Sequence, residues 1–179
     1  MSRCRGKESA MEMIRTIGID PGSRYTGYGI VEGHGSRLRH IASGTIRLSA
    51  RAPFPERLKT IYGELIALIE TSAPLSMAVE DVFFAKNVKS ALRLGQARGA
   101  AILAGVNTGL VVHEYSALQI KQAVVGYGRA GKGQVTHMIQ CLFGMRAALE
   151  ANAADALAVA VCHLHTQSVQ SLWCARGRT

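Results

Sequence analysis

The 179-residue sequence lacks any apolar run long enough to cross a membrane. Its longest candidate, residues 153–164, is shorter than the roughly 20 residues of a transmembrane helix and contains Asp155. Residues 1–12 are basic and polar, without the apolar core of a secretory signal. We expect them to be a disordered extension or the product of an upstream start codon, because the fold pattern begins after Met13.

Cysteine spacing typical of metal binding is also absent. The four cysteines form no CxxC or other ligand pattern: Cys4, Cys141, Cys162 and Cys174. Cys141 and Cys162 lie in apolar helical patterns and are predicted to be reduced core residues. This usage indicates a reducing compartment, and we expect the cytoplasm and no membrane partner.

Acidic residues are scarce, with 12 Asp and Glu against 21 Lys and Arg, so the formal net charge is +9. Such a surplus favours a polyanionic partner, and nucleic acid comes first because no basic amphipathic membrane helix is visible. Ribosome association and ordinary surface charge are the alternatives.

The order of apolar patterns predicts one domain, residues 13–166, followed by a basic tail, residues 167–179. Its fold is predicted to be a mixed α/β sheet with helices on its faces, opening with a three-stranded antiparallel meander. Strands are expected at residues 14–20, 26–31, 37–48, 75–84 and 110–115. Helices are expected at residues 58–73, 88–106, 118–125, 134–143 and 152–165.

The first strand ends on an acid. Alternation points Ile17 and Ile19 to one face and Gly18 and Asp20 to the other, and Gly18 is expected to leave open space beside Asp20. Pro21 ends the pairing. A buried strand-end carboxylate needs a partner, which can be a metal ion, a backbone nest or a cationic side chain. An aspartate that caps its own turn is the alternative.

Further acids lie at the ends of other elements. Glu80 and Asp81 are neighbours near the end of the predicted fourth strand and point to opposite faces, so only one of them can join Asp20. Asn152 and Asp155, three apart at the start of the last helix, share a face, although the pair also fits a capping box. Carboxylates concentrated in a basic chain suggest Mg²⁺ or Mn²⁺ on a nucleic-acid-binding surface.

The second helix carries Gly95 and Gly99 on its apolar stripe, one turn apart. Glycines at this spacing let another backbone approach closely. They indicate either tight packing on the sheet or a homodimer interface.

Several blocks of the sequence form a recognisable set: residues 18–24 and 26–29, Glu80 with residues 82–83 and 85–87, residues 90–92, 94–99, 121–122 and 124–126, and residues 153–158. Together they resemble the RuvC family of bacterial Holliday-junction resolvases, within the ribonuclease H-like superfamily, from Met13 to about Thr166. The resemblance implies a mixed five-stranded sheet, antiparallel meander plus parallel strands, with helices on both faces.

The family's ligand positions are matched by Asp20, Glu80 and Asp155. A further ligand, normally Asp and His in some members, is matched by Asn152, which lacks the negative charge and should hold a cation less well. Asn152 is thus a natural variant or an isosteric replacement that arrests cleavage while keeping DNA binding. Glu150 lies close in sequence but is expected to face elsewhere.

The resemblance further implies a divalent-metal-dependent endodeoxyribonuclease. Two Mg²⁺ ions per site, replaceable by Mn²⁺, would serve an in-line displacement at the scissile phosphate. A homodimer would place two sites in two-fold symmetry on a four-way DNA junction, for recombination and repair. The family works with the RuvA-RuvB branch-migration complex.

Six residues are candidates for DNA contact. Lys86, Lys89 and Arg93 form one basic helix face, which is either a phosphate-binding surface or an ordinary solvated one. Lys121 and Lys132 match lysines that the family needs for DNA binding or catalysis. Phe83 matches an aromatic residue that stacks on bases, with core packing as its alternative.

Three other interpretations are weighed. Residues 126–132 fit a P-loop except that Gly133 replaces the required Ser or Thr, and they also spell GxGxxG outside the usual strand–helix context. An actin-like ATPase shares the Asp-Pro-Gly turn but needs two such domains. A non-catalytic four-way-junction-binding protein of the same fold, with Asn152 as the lesion, is distinguished only by cleavage.

Overall fold

The computed structural model describes residues 13–34, 37–81 and 87–176, with side chains described as far as residue 168. Its strands are β1 (Ile14–Asp20), β2 (Tyr25–His34), β3 (Arg37–Arg47), β4 (Ser76–Asp81) and β5 (Val111–Ser116). Its helices are α1 (Phe54–Ser72), α2 (Val88–Asn107), α3 (Ala117–Val125), α4 (Lys132–Leu142) and α5 (Ala151–Arg176).

The five strands form one mixed sheet in the order β3-β2-β1-β4-β5. β1, β2 and β3 make the predicted antiparallel meander, whereas β4 runs parallel to β1 and to β5. Thr16 pairs with Ser76 and Gly18 with Ala78, so the carboxyl ends of β1 and β4 lie side by side. The predicted architecture is confirmed.

Strand alternation divides the buried residues between the two faces of the sheet. Ile17, Ile19 and Val79 pack on the side covered by α1 and α2. Ala78 and Tyr115 face the other side, which α5 covers together with α3 and α4. Helices therefore cover both faces, as predicted, and the Asp20 side of β1 is the α5 side.

Helix α1 begins at Phe54, four residues before the predicted start at Leu58. Pro53 is its N-cap and Pro55 lies in its first turn, where a proline costs no hydrogen bond. Pro53 and Pro55, which precede the predicted helix, therefore mark its actual start. Its end is as predicted, with Ala73 in the left-handed region at φ 45° just before Pro74.

Helix α2 is capped as predicted, because the Asn87 side chain accepts a hydrogen bond from Ser90 N at 2.8 Å. Its buried face, however, is made of small residues: Ala97, Ala101, Ala104 and Gly105. The predicted stripe with Gly95 and Gly99 faces outward, and a Cβ built on either glycine meets open space. Packing on the sheet is therefore excluded as the reason for these two glycines.

The buried face of α4 does not include Cys141, which was predicted to be a core residue. Val135 and Ile139 are buried on this helix, whereas Cys141 is exposed, so the prediction that Cys141 is a core residue was wrong. Cys162 is buried as expected. The side chains of Cys4 and Cys174 lie outside the described residues.

Helix α5 continues to Arg176, eleven residues past its predicted end at His165. Residues 166–176 contain neither Gly nor Pro, so nothing in the sequence stops the helix. The predicted extension, residues 1–12, lies outside the described residues. No helix in the described part of the chain has both the length and the apolar character needed to cross a bilayer.

Candidate active site

A cleft of about 390 Å³ opens beside the carboxyl ends of β1 and β4 and the first turns of α5. Its polar lining consists of the three carboxylates predicted from the sequence and two of the predicted lysines: Asp20, Glu80, Asp155, Lys121 and Lys132. The rest of the lining is mainly apolar and includes Leu94, Ile120 and Val135. The fold thus gathers residues from four distant parts of the chain into one site.

A side-chain hydrogen bond joins the carboxyl groups of Asp20 and Glu80. Burial raises the pKa of Asp20 to about 8, and the negative charges of Glu80 and Asp155 add to the rise. The pKa of Glu80 is also raised, chiefly by burial and then by Asp155. At neutral pH the pair therefore retains a proton, because burial disfavours the ionised carboxylates and their negative charges also repel each other.

Lys132 supplies positive charge to the same cluster. Its Nζ lies 3.1 Å from Asp155 Oδ2, although the lysine side chain is itself largely exposed. The hydrogen bond and the charge of Asp155 raise the pKa of Lys132, and Asp20 and Glu80 contribute further. Lys132 is the first residue of α4, so the cation stands at the mouth of the cleft.

Helix α5 reaches this site by lying directly on a floor of three glycines, Gly18 of β1 and Gly27 and Gly29 of β2. A Cβ at Gly18 would stand 2.2 Å from Ala156 O, and one at Gly27 would stand 2.0 Å from Asn152 O. The space beside Gly18 is therefore filled by the α5 backbone, and the expectation that it is open was wrong. Only glycines allow this approach, and the approach brings Asp155 next to Asp20.

Asn152 is the second residue of α5, one turn before Asp155. Because the helix begins at Ala151 and Ala154 N bonds to Glu150 O at 2.9 Å, Asn152 lies inside the helix and not at its N-cap. Asp155 is engaged by Lys132, so the capping-box interpretation does not hold. Among the described residues, the lining of the cleft does not include Asn152.

Glu150 does not replace the missing charge. Arg47 Nη2 lies 2.6 Å from Glu150 Oε1 at the surface. The exposed Arg47 guanidinium donates this hydrogen bond to the carboxylate. Glu150 is thus held at β3, away from the cleft lining, as expected.

Asp81 lies on the opposite face of β4 from Glu80, as strand alternation requires. Arg98 of α2 stands 3.4 Å from Asp81 and also pairs with Glu114 of β5. This ion pair ties α2 to the two parallel strands. Of the two neighbouring acids, Glu80 alone is available to the cleft.

The predicted DNA-contact residues divide into three groups. Lys121 and Lys132 line the cleft. Lys89 and Arg93 are exposed on the first turns of α2, where the Arg93 guanidinium lies 5.5 Å from the centre of the Phe54 ring. Phe83 and Lys86 lie outside the described residues.

The donor chemistry of the cleft fits a hard divalent cation. Carboxylate oxygens are the ligands that Mg²⁺ prefers, and a bound cation would offset both the burial and the neighbouring negative charges that raise the pKa of Asp20. Within the described ranges, however, no three Asp, Glu, His or Cys side chains stand in a ready-made metal-binding arrangement. The residues would have to draw together around a cation.

The glycine-rich segment before α4 does not have the setting of a nucleotide-binding loop. Helix α3, not a strand, precedes it, and Gly126 is the left-handed C-cap of that helix at φ 87°. A P-loop or a dinucleotide fingerprint follows a strand. Both nucleotide-binding alternatives therefore lose their structural context.

Two features of the site escaped the sequence interpretation. One is the glycine floor under α5. The other is a buried polar cluster on the strands and helix that carry the carboxylates and on the adjacent β5. It is formed by Thr16, Ser76, Tyr115 and His163. The glycines were visible in the sequence, but their partner helix was not, because the contact joins residues more than 100 positions apart.

Comparison with known proteins identifies close relatives. The family model described as "Crossover junction endodeoxyribonuclease RuvC" matches residues 16–163. A protein of that name from Citrifermentans bemidjiense is 54% identical over 157 residues, covering 88% of this chain and 96% of the relative. One from Pelobacter propionicus is 56% identical over 153 residues, covering 86% of this chain and 87% of the relative.

Among solved structures, the chain is similar to T. thermophilus RuvC in complex with a Holliday junction substrate. The TM-score is 0.83 at 30% sequence identity, covering 88% of this chain and 97% of that one. The similarity therefore extends over nearly the whole of the other protein.

Proposed function

The chain belongs to the crossover junction endodeoxyribonuclease RuvC family, and from this we propose that it resolves Holliday junctions by paired, symmetric nicks during recombination and repair. One observation of its own structure carries the proposal. Asp20, Glu80 and Asp155 line a single cleft together with two lysines in a chain of net charge +9. Carboxylates and cations combined in this way suit a nuclease acting on a phosphodiester.

Asp20, Glu80 and Asp155 would hold Mg²⁺, or Mn²⁺ in its place, with two ions per site. Bound ions supply Lewis-acid activation of water and stabilise charge at the scissile phosphate. The protein's part is to release the proton shared by Asp20 and Glu80 as a cation binds, leaving both side chains as carboxylates. Lys132, freed from Asp155, and Lys121 would then offset charge on the phosphate.

DNA would approach over the amino-terminal half of α2. Lys89 and Arg93 are exposed there, and we propose them, with Lys86 and Phe83, as contacts that position the junction arms. Arginine and lysine contacts to phosphates fix register without reading sequence.

A homodimer would pair two such sites across a two-fold axis, as symmetric nicking requires. The outward face of α2 supports this, since Leu92, Leu103 and Val106 are 65%, 51% and 55% exposed beside the open Gly95 and Gly99. Through its family we also propose the bacterial cytoplasm as its compartment and the RuvA-RuvB complex as a partner.

A non-catalytic junction-binding protein is the second candidate, and Asn152 is the observation that favours it. Cleavage separates the two candidates, because both predict junction binding in EDTA. The test uses a labelled four-way junction and a duplex of equal length, with Mg²⁺ or EDTA, on the unmodified chain and its Asp20→Asn variant. Symmetric Mg²⁺-dependent nicks by the unmodified chain alone support the nuclease.

Two results contradict the nuclease. Binding without nicks in either metal would favour the second candidate. Equal affinity for the junction and the duplex would oppose both, because neither function is possible without recognition of the branch.

A further inference from the structure

The buried polar cluster of Thr16, Ser76, Tyr115 and His163 joins the elements that carry the site carboxylates. Thr16 lies four residues before Asp20 on β1, Ser76 lies four before Glu80 on β4, and His163 lies eight after Asp155 on α5. Tyr115 comes from β5, next to β4. All four residues are buried, with exposed fractions of 0%, 4%, 7% and 0% in the order given.

Hydrogen bonds link the four side chains in a row. Tyr115 Oη lies 2.8 Å from His163 Nδ1, His163 Nε2 lies 3.0 Å from Ser76 Oγ, and Ser76 Oγ lies 2.8 Å from Thr16 Oγ1. A neutral imidazole donates from one nitrogen and accepts at the other, so it serves both neighbours at once. Burial, with a smaller effect of His113, lowers the pKa of His163 to about 4 and keeps the ring neutral at physiological pH.

The need for such a link comes from the glycine floor. Where α5 carries Asn152 and Asp155, it rests on the backbone at Gly18 and Gly27, without strand side chains to interlock with its own. Ridges packed into grooves are what normally fixes one element along another. The first turns of α5 therefore have few interlocking side chains to stop the helix from sliding along its axis. Sliding by one residue would move Asp155 by about 1.5 Å.

We propose that His163 is a positioning residue for the reaction: its two hydrogen bonds, to Tyr115 and Ser76, fix α5 along its axis and so hold Asp155 in register with Asp20 and Glu80. Because the imidazole is fully buried, it acts through the helix and not by direct contact with DNA. This inference rests on the proposed nuclease function. His163 lies about two helical turns after Asp155 and would support the site through α5.

The test compares variants that change polarity at nearly constant volume. His163→Phe removes both hydrogen bonds, Tyr115→Phe removes one, and His163→Gln keeps an amide that can donate or accept. Leu164→Ala is the matched control, since Leu164 is a buried neighbour on α5 (3% exposed) outside the cluster. Thermal unfolding, junction binding in EDTA and single-turnover cleavage in Mg²⁺ are measured for each, well below the melting temperature.

We expect His163→Phe to bind the junction within about twofold of the unmodified chain and to cut it at least about tenfold more slowly, because misplacing a catalytic group by about 1 Å can cost about 100-fold in rate. Tyr115→Phe should lose less, and His163→Gln should recover part of the rate. Mn²⁺ titration of the protein alone, followed by electron paramagnetic resonance, should show weaker binding in His163→Phe. Leu164→Ala should melt earlier yet cut at the normal rate.

The proposal is overturned if His163→Phe cuts like the unmodified chain, or if rate loss follows melting temperature across all variants including Leu164→Ala. Should His163→Phe fail to fold, Tyr115→Phe and His163→Gln decide the question by the same comparison. An unmodified chain that does not cut junctions refutes the proposed function instead. The Mn²⁺ titration still reports on His163 in that case.

Discussion

Lys132 Nζ lies 3.1 Å from Asp155 Oδ2, so the amino-terminal residue of α4 neutralises a carboxylate on α5. Both residues line the same cleft as Asp20 and Glu80. An ammonium in contact with a carboxylate competes with any cation for that group. Lys132 is therefore expected to weaken metal binding at Asp155 and to assist cleavage. A single substitution of Lys132 tests both effects.

Lys132→Met should tighten Mn²⁺ binding and slow junction cleavage. Binding tightens because a competing positive charge is lost, and cleavage slows by about tenfold or more because a cation near the scissile phosphate is lost. Paramagnetic resonance titration and single-turnover cleavage provide the two measurements. Lys59→Met, at an exposed lysine of α1, is the control and should change neither. Weaker metal binding in Lys132→Met would contradict the competition.

Asn152→Asp should increase cleavage by about tenfold or more in saturating Mg²⁺, since it adds a carboxylate one turn before Asp155. Junction affinity in EDTA should stay the same or fall slightly, because a negative charge is added near the DNA. The measurement is a side-by-side time course on a labelled four-way junction. Equal rates would mean that Asp20, Glu80 and Asp155 suffice; inactivity of both proteins would count against the assigned site.

Asp20 makes metal-free stability fall as the pH rises. Its pKa in the folded chain is about 8, above the unfolded value of about 4, so between these limits the folded state holds a proton that the unfolded state has lost. Asp20→Asn removes the free-energy cost of ionising this buried carboxyl group. In EDTA at pH 8 the variant should exceed the unmodified chain in unfolding free energy by more than about 1 kcal/mol, the equivalent of one pKa unit.

Urea unfolding from pH 4 to pH 8 measures this difference, which should vanish at the acidic end. Mg²⁺ should then stabilise the unmodified chain more than Asp20→Asn, because a ligand stabilises the state that binds it. A metal-free unmodified chain that gains stability as the pH rises from 5 to 8 would show that Asp20 ionises freely.

Gly18→Ala should destabilise the fold by about 1–3 kcal/mol or more, because its Cβ would stand 2.2 Å from Ala156 O. Gly63→Ala is the matched control on α1, where a Cβ meets nothing within 4 Å. That change should stabilise the helix by roughly 0.5–1 kcal/mol. Urea denaturation distinguishes the two, and similar effects at both positions would argue against the close packing of α5.

Gly99→Leu tests the proposed dimer interface. Space around Gly99 is open within a single chain, so the variant should fold with unchanged or slightly higher stability. If α2 packs against α2 of a second copy, the added side chain should turn a dimer into a monomer in sedimentation and abolish paired nicking. If the Gly99→Leu protein remains dimeric, the dimer interface lies on a surface other than this face of α2.

The sequence predicted those parts of the molecule that depend on local pattern. β1 was predicted with its observed limits. Alternation along β1 and β4 predicted that only one of Glu80 and Asp81 can lie on the same face as Asp20. The α2 stripe was misassigned because larger apolar residues outweighed the alanines that pack inside. Contacts such as His163 with Ser76, 87 residues away, could not be predicted, because they depend on the tertiary pairing of elements.

The glycine floor also bears on when the enzyme becomes complete during its synthesis. Asp20 and Glu80 are translated well before Asp155 and α5, the helix that covers the floor. Until α5 has emerged and docked, β1 and β2 present bare backbone at Gly18, Gly27 and Gly29 in place of a site. A nascent chain without a docked α5, or a chain truncated before α5, therefore lacks Asp155 beside Asp20 and Glu80, so we expect no cleavage of DNA until α5 has been translated and has packed on the sheet.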